Sequence, residues 1–213
     1  MAIPILIYCA YGNKHYAEIS IAAGFRYGAQ LPHRIYYPPY FVDQDWRKPN
    51  REKYMAALAK WRPHIASVLD WERVEQLPEV LSWAEEAAQY VEVVMIIPKV
   101  QNGVNLLPRV ISGRPIRLGY SVPTRFAGTE LMLSEFVGWP VHLLGGSPKK
   151  QLEIARYLDI ASADGNAATK AAEYGNYWDG RQWRDIGKCD DMPYKAFRRS
   201  CENIMAAWKK LCA

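Results

Sequence analysis

Two aspartates each stand directly after an unbroken apolar run: Asp70 after Ile65–Leu69, and Asp164 after Ile160–Ala163. Carboxylates brought together in this way suit chemistry at a glycosidic carbon. The anomeric carbon becomes oxocarbenium-like as its bond breaks, and a nearby carboxylate stabilises that charge or bonds to it. A second carboxyl hydrogen-bonds or protonates the departing group. Asp70 and Asp164 are therefore the candidate catalytic pair. The plainer alternative is that both are turn residues or helix caps, the ordinary roles of Asp after a strand.

Other apolar runs end on residues suited to holding a ligand. Asp43 and Asp45 lie near the second strand; Lys99 follows Val91–Ile97 and Pro98. Gly119, Tyr120 and Ser121 follow Ile116–Leu118, Gly145 and Gly146 follow Val141–Leu144, and Asn166 comes two residues after Asp164. These are the candidate substrate-binding residues, with glycine allowing backbone to approach a ligand closely. Lys99 serves to bind phosphate or base, or pairs with a carboxylate. Gly145-Gly146-Ser147 is too short for a Walker-type loop, although a helix starting after it lets its amides meet an anion. Cys9, His15, His33, His64 and His142 are scattered and have no metal-ligand spacing, so no metal is expected. His142 lies inside a strand and reads as a satisfied core or supporting histidine. Trp178, Arg181, Trp183 and Arg184 mix rings and cations in one segment. They are candidate nucleic-acid contacts, Arg on phosphates and Trp on bases; otherwise the segment packs its rings over the barrel end.

These residues need a scaffold that brings strand ends together. Strands are expected at Ile3–Ala10, Arg34–Tyr37, Tyr40–Val42, Ile65–Leu69, Val91–Ile97, Ile116–Tyr120, Val141–Leu144 and Ile160–Ala163. Helices are expected at Tyr16–Ala23, Arg51–Trp61, Pro78–Tyr90, Leu106–Ile111, Glu130–Val137, Pro148–Leu158, Ala167–Tyr174 and Tyr194–Leu211, with a loop from Gly175 to Met192. Apolar strands separated by helices imply a parallel sheet covered by helices. Seven or so βα units predict an α/β fold, a (β/α) TIM-like barrel, reduced or irregular, with a closing C-terminal helix. A doubly wound open sheet is the competing fold. One domain over residues 1–213 is expected, with 175–213 as a loop and helix appended to the barrel.

Composition narrows the class. The 213 residues are half hydrophobic and carry a net charge of +5, which only mildly favours nucleic acid as a partner. Eight tryptophans and fourteen tyrosines exceed what a core of this size needs. No apolar run approaches the ~20 residues that span a bilayer, so no membrane partner is expected. Ile3–Ala10 lacks a basic flank and reads as a strand, not a signal peptide. Cys9, Cys189, Cys201 and Cys212 form no Cys-x-x-Cys pair, which argues against a zinc ribbon and fits a reducing, cytoplasmic setting.

One stretch carries a family likeness. His142-Leu143-Leu144-Gly145-Gly146-Ser147-Pro148, a helix, then Leu158-Asp159-Ile160-Ala161-Ser162-Ala163-Asp164-Gly165 resembles a segment of the tRNA-guanine transglycosylase superfamily. There a strand ending in Gly-x-Gly-[ST]-Pro leads through a helix to Gly-[IV]-Asp-Met-Phe-Asp-Cys. Ala66-Ser67-Val68-Leu69-Asp70-Trp71-Glu72 is similar to the family's Met-Val-[FL]-Asp-Glu-Cys, and Leu118-Gly119-Tyr120-Ser121 occupies the place of its Gly-Gly-Leu loop. The likeness covers roughly residues 65–174 and is greatest to small phage and bacterial relatives associated with 7-deazaguanine in DNA.

The resemblance implies that Asp164 is the nucleophile, that Asp70 contacts the base, and that guanine in DNA is exchanged for a 7-deazaguanine through an aspartyl glycosyl-enzyme. It implies DNA as partner rather than tRNA, because the Cys/His zinc subdomain of the tRNA enzymes has no counterpart and Gly165 replaces the cysteine after the nucleophile. A free purine-like base is the co-substrate and no cofactor is needed. The setting implied is a bacterial or phage-infected cell. Two further readings stand beside it: a hydrolytic DNA glycosylase that excises a modified base in genome defence, and a non-catalytic nucleic-acid or nucleotide-binding module.

Overall fold

The computed structural model describes residues 2–10, 12–124 and 128–213. Among them, eight parallel strands close into a barrel: β1 (Ile5–Ala10), β2 (Arg26–Gln30), β3 (Phe41–Asp43), β4 (Ile65–Trp71), β5 (Val93–Pro98) and, past a short antiparallel strand β6 (Val110–Ile111), β7 (Arg114–Ser121), β8 (Val141–Leu144) and β9 (Ile160–Asp164). Closure is made by β9 beside β1, with Ile7 opposite Asp164, and by β5 beside β7, with Ile96 opposite Leu118. Helices α1 (Lys14–Ala22), α2 (Arg51–Trp61), α3 (Leu77–Ala87), α4 (Pro148–Ile154) and α5 (Ala167–Glu173) cover the outside. The barrel is reduced: the connections after β2, β5 and β7 hold no α-helix among the described residues.

Period-two alternation divides each strand between two cores. Ile7, Phe41, Ile65, Val93, Met95 and Ile97 fill the barrel interior. Leu6, Val68, Val94, Leu118, Leu143 and Ala163 face the helices. The closing helix α6 (Met192–Cys212) buries Phe197, Cys201, Ile204 and Trp208 at helical spacing and packs against α1, α4 and α5.

Two bulges interrupt the alternation where it matters. Ser67 lies opposite Met95 and Asp70 opposite Ile97, so β4 carries one residue more than β5 over that stretch. On β9, Ile160 pairs with Val141 and Ser162 with the next residue, His142, which leaves Ala161 as the extra residue. An added residue reverses which face the following side chains take. Ile65 points into the barrel, so unbroken alternation would turn Asp70 outward. Ile160 belongs to the outer core, so unbroken alternation would turn Asp164 outward too.

Several elements differ from the sequence expectation. β2 was not expected, because Arg26-Tyr27-Gly28-Ala29-Gln30 shows little apolar character. Gly28 is required inside the barrel, since a Cβ there would fall 2.7 Å from Cys9 Sγ. Arg34–Tyr37 is a loop, not a strand; Tyr36 N–H donates to the Tyr27 hydroxyl instead of to a neighbouring strand. Leu106–Ile111 is not a helix. Val110 and Ile111 pair with Pro115 and Arg114 across a tight turn in which Ser112 and Gly113 both have positive φ. Glu130–Val137 holds only a 3-10 turn, Leu133–Phe136, because Met132 and Val137 face solvent and no continuous apolar face exists. The expected loop after Gly175 contains a hairpin of β10 (Asn176–Trp178) and β11 (Trp183–Asp185) packed on α5 and α6. No helix among the described residues is long and apolar enough to cross a membrane.

Candidate functional site

The C-terminal ends of the barrel strands surround a pocket of about 280 Å³. This is the end where βα-barrels carry their chemistry. Asp43, Asp70 and Asp164 line it from β3, β4 and β9, with Lys99 just beyond β5.

Asp164 is held at one oxygen. The Gly145 N–H donates to Oδ1 at 3.1 Å, and His142 Nε2 lies 3.4 Å from the same atom. Gly145 and Gly146 reach this position with φ of +66° and +76°, which side-chain-bearing residues rarely adopt. Buried Gln151 fixes the loop: its Nε2 donates to the carbonyls of Gly145 at 2.7 Å and Asp164 at 2.5 Å. Ser147 caps α4 by accepting from the Lys150 N–H, which starts the helix that carries Gln151.

Beneath Asp164 runs a buried polar chain. Arg117 Nη1 donates to Ser162 Oγ at 2.9 Å, and Ser162 Oγ lies 2.7 Å from His142 Nδ1. A guanidinium only donates, so Ser162 accepts from Arg117 and has its own proton free for Nδ1. Donated to Nδ1, that proton would leave the ring's own proton on Nε2, the nitrogen nearest Asp164. His142 is fully buried and Phe41 packs on its ring.

Asp43 has a different environment. Ser67 Oγ donates to Oδ1 at 2.6 Å and Gln30 Nε2 to Oδ2 at 3.3 Å. Burial pushes its carboxyl up to about 7; Ser67 opposes the rise, and the charges of Asp164 and Asp70 add to it. Asp70 pairs with Lys99, Nζ to Oδ2 at 2.7 Å, and Lys99 also reaches Glu72 at 2.9 Å. Burial raises the Asp70 carboxyl while Lys99 pulls it back. Cys9 lines the pocket, but burial holds its thiol well above the ordinary range, with Asp164 and Asp43 adding to the rise. A thiol in that state is a poor nucleophile. Among the described residues no group of three His, Cys, Asp or Glu is placed to hold a metal ion.

Of the sequence candidates, the pocket brings together Asp43, Asp70, Lys99, Ser121, Gly145, Gly146, Asp164 and Asn166. It does not include Asp45, whose Oδ1 caps its own turn by accepting from the Arg47 and Lys48 amides. Gly119 sits deeper in the barrel, where Ile97 and Leu144 occupy the space of a Cβ. Tyr120 faces the outer core against Phe136. The hairpin candidates lie apart from the pocket. Trp178 is 2% exposed and packs on Trp183, Arg184 pairs with Asp179, and Arg181 is exposed. Gln30, Trp46 and Gln151 were not among the candidates. Gln30 was hidden with β2, and Trp46 belongs to the segment Asp43-Gln44-Asp45-Trp46, which is similar to the DNA-acting relatives but to which the sequence alone assigns no role.

Fold and pocket together define a closed parallel α/β barrel with a carboxylate-lined mouth. The chain belongs to DUF6610, a family of unknown function, which it matches over residues 17–209. No curated protein matches it.

Proposed function

We propose that the protein exchanges a nucleobase in a nucleic acid strand, DNA in the first instance, through a covalent aspartyl intermediate. The observation that carries this reading is the convergence of Asp43, Asp70 and Asp164 on one pocket, with different partners on each carboxylate. Different environments give carboxyls different roles.

Asp164 attacks C1′ of the nucleoside. The C1′–N bond breaks and its electron pair leaves with the base, which takes up the proton carried by Asp43. An incoming base then attacks C1′, returns a proton to Asp43 and releases Asp164. Asp70, fixed by Lys99, hydrogen-bonds the base edge. The pocket size suits one base and its sugar, and the spacing from Gly145-Gly146 to Asp164 resembles that of base transglycosylases. The chain's four cysteines, which form no Cys-x-x-Cys pair, suit a cytoplasmic setting.

The test is incubation of base-labelled DNA with free guanine or a 7-deazaguanine, followed by nucleoside mass spectrometry. Incorporation of the free base into DNA, lost in Asp164→Ala, supports exchange. Abasic sites without incorporation redirect the reading to hydrolysis by the same residues. Neither product, across single-stranded and duplex DNA and tRNA, overturns it.

A further inference from the structure

Trp46 is the one large, exposed apolar side chain among the described residues that also lines the pocket; it is 54% exposed. Its loop does not leave it there by looseness. Gln44 N–H donates to Ser67 Oγ at 3.1 Å on one side, and Asp45 Oδ1 accepts from Arg47 N–H at 3.1 Å on the other. The turn presents the indole at the rim, and a pre-ordered ring loses little freedom on binding.

The charges near it are separated. Inside the pocket stand three aspartates and Lys99, which is paired with Asp70 and Glu72, so acidic groups outnumber basic ones. On the rim, Arg47 and Lys48 are exposed and form no ion pair with other described residues. Arg47 holds its guanidinium 5.0 Å from the Trp46 ring centre. An acidic interior repels phosphate and accepts a base that carries N–H donors. A basic, aromatic rim does the reverse, holding phosphates by charge and a neighbouring base by stacking.

We infer that Trp46, Arg47 and Lys48 form the strand-holding rim of the pocket: the indole stacks on an unpaired base beside the one that enters, and the two cations take its flanking phosphates. This deepens the nucleoside reading above and rests on it. It moves the nucleic-acid contact from the β10–β11 hairpin to the loop after β3.

The experiment is equilibrium binding of a fluorescein-labelled single-stranded DNA oligonucleotide by anisotropy, without chemistry. Wild type is compared with Trp46→Ala, Trp46→Phe, the pair Arg47→Ala/Lys48→Ala, and the hairpin pair Arg181→Ala/Arg184→Ala. Trp46→Ala is expected to weaken binding about tenfold or more, and Trp46→Phe to restore most of it. Loss of both rim cations should weaken binding and reduce the slope of log K against log salt by about 1.4, as for two lost single-strand phosphate contacts. The hairpin pair should bind as wild type does. Thermal melting of each variant verifies that the exposed substitutions leave the fold intact.

Wild-type affinity in Trp46→Ala, or a loss confined to the hairpin pair, overturns the inference while leaving the nucleoside reading untouched. So does a wild type that exchanges the base of a free nucleoside but binds no strand. Equal binding of polyglutamate also overturns it, because a stacking rim distinguishes bases from bare charge. A protein that binds no strand and acts on no nucleoside overturns both.

Discussion

His142 lies fully buried beneath Asp164, with its Nε2 3.4 Å from the carboxylate Oδ1 that also receives the Gly145 N–H. Both contacts fall on Oδ1, so neither occupies Oδ2. The arrangement fixes the carboxylate, which the Cys9 thiol also contacts. Arg117 and Ser162 orient the ring from below, so that four side chains on β7, β8 and β9 act in series.

Removal of the two ends of that contact should have unequal effects. Asp164→Asn is expected to abolish base exchange, because an amide does not form the glycosyl bond. His142→Leu keeps much of the ring's bulk but removes its polar contact with Oδ1. At 3.4 Å and without hydrogen-bond geometry that contact is weak, so its loss is expected to lower turnover by up to about tenfold, or about 1.4 kcal/mol. Single-turnover kinetics with labelled base measure both. His142→Leu at wild-type turnover would remove His142 from any supporting role.

Asp43 should make the stability, and the proposed exchange, depend on pH, in directions that follow from its raised carboxyl. Between its ordinary value of 3.8 and about 7, the folded chain keeps a proton at Asp43 that the unfolded chain has released. Its stabilising contribution is therefore full at low pH and falls as pH rises through that window, by no more than about 4 kcal/mol. Asp43→Asn should flatten this fall, so the variant gains melting temperature relative to wild type at pH 8 but not at pH 4. Exchange should decline above about pH 7 in the wild type as Asp43 loses its proton. Melts and rates measured across pH 4–9 check both slopes; a wild-type melting temperature that rises steadily over pH 4–7, and rises less in Asp43→Asn, contradicts the assignment.

Much of this site was legible in the sequence because apolar runs mark strand ends. Ile65–Leu69 and Ile160–Ala163 located Asp70 and Asp164, and Val141–Leu144 located the two glycines. The pocket residues that were missed have physical reasons. Gln30 belongs to a strand whose inward positions are a glycine and an amide, so no apolar signal announces it. The bulges that aim Asp70 and Asp164 inward are properties of register between strands, which a single strand's pattern does not contain. Trp178 and Trp183 looked like a surface for bases, but their rings pack on each other, with Trp178 buried beneath α6.

The two loop glycines should tolerate alanine differently. Both have positive φ, which costs an ordinary residue about 1–2 kcal/mol. At Gly145 nothing lies within 4 Å of an added Cβ, whereas at Gly146 the Cβ would fall 2.4 Å from Val122 Cγ1 and 2.8 Å from Val122 Cβ. Gly145→Ala should therefore lose about 1–2 kcal/mol by urea melting, and Gly146→Ala clearly more, with displacement of the Val122 segment. Equal losses would mean that Val122 moves freely and does not pack the loop.

Asp70 and Lys99 should behave as a coupled pair. Each is mostly shielded from water, and their contact is 2.7 Å. Lys99→Met leaves Asp70 in a buried site without its main counter-charge, a loss of about 1–3 kcal/mol, and lets burial raise the carboxyl further. Asp70→Asn leaves Lys99 with Glu72, an exposed partner that holds it less firmly. With both groups replaced the only charge left unpaired is that of Glu72, which water solvates, so the double variant should be more stable than the sum of the single losses implies. Exchange separates structure from recognition: the double variant regains stability, yet its selectivity between guanine and adenine should stay as altered as in Asp70→Asn. A double variant with wild-type base selectivity would show that Asp70 serves the ion pair alone and does not read the base.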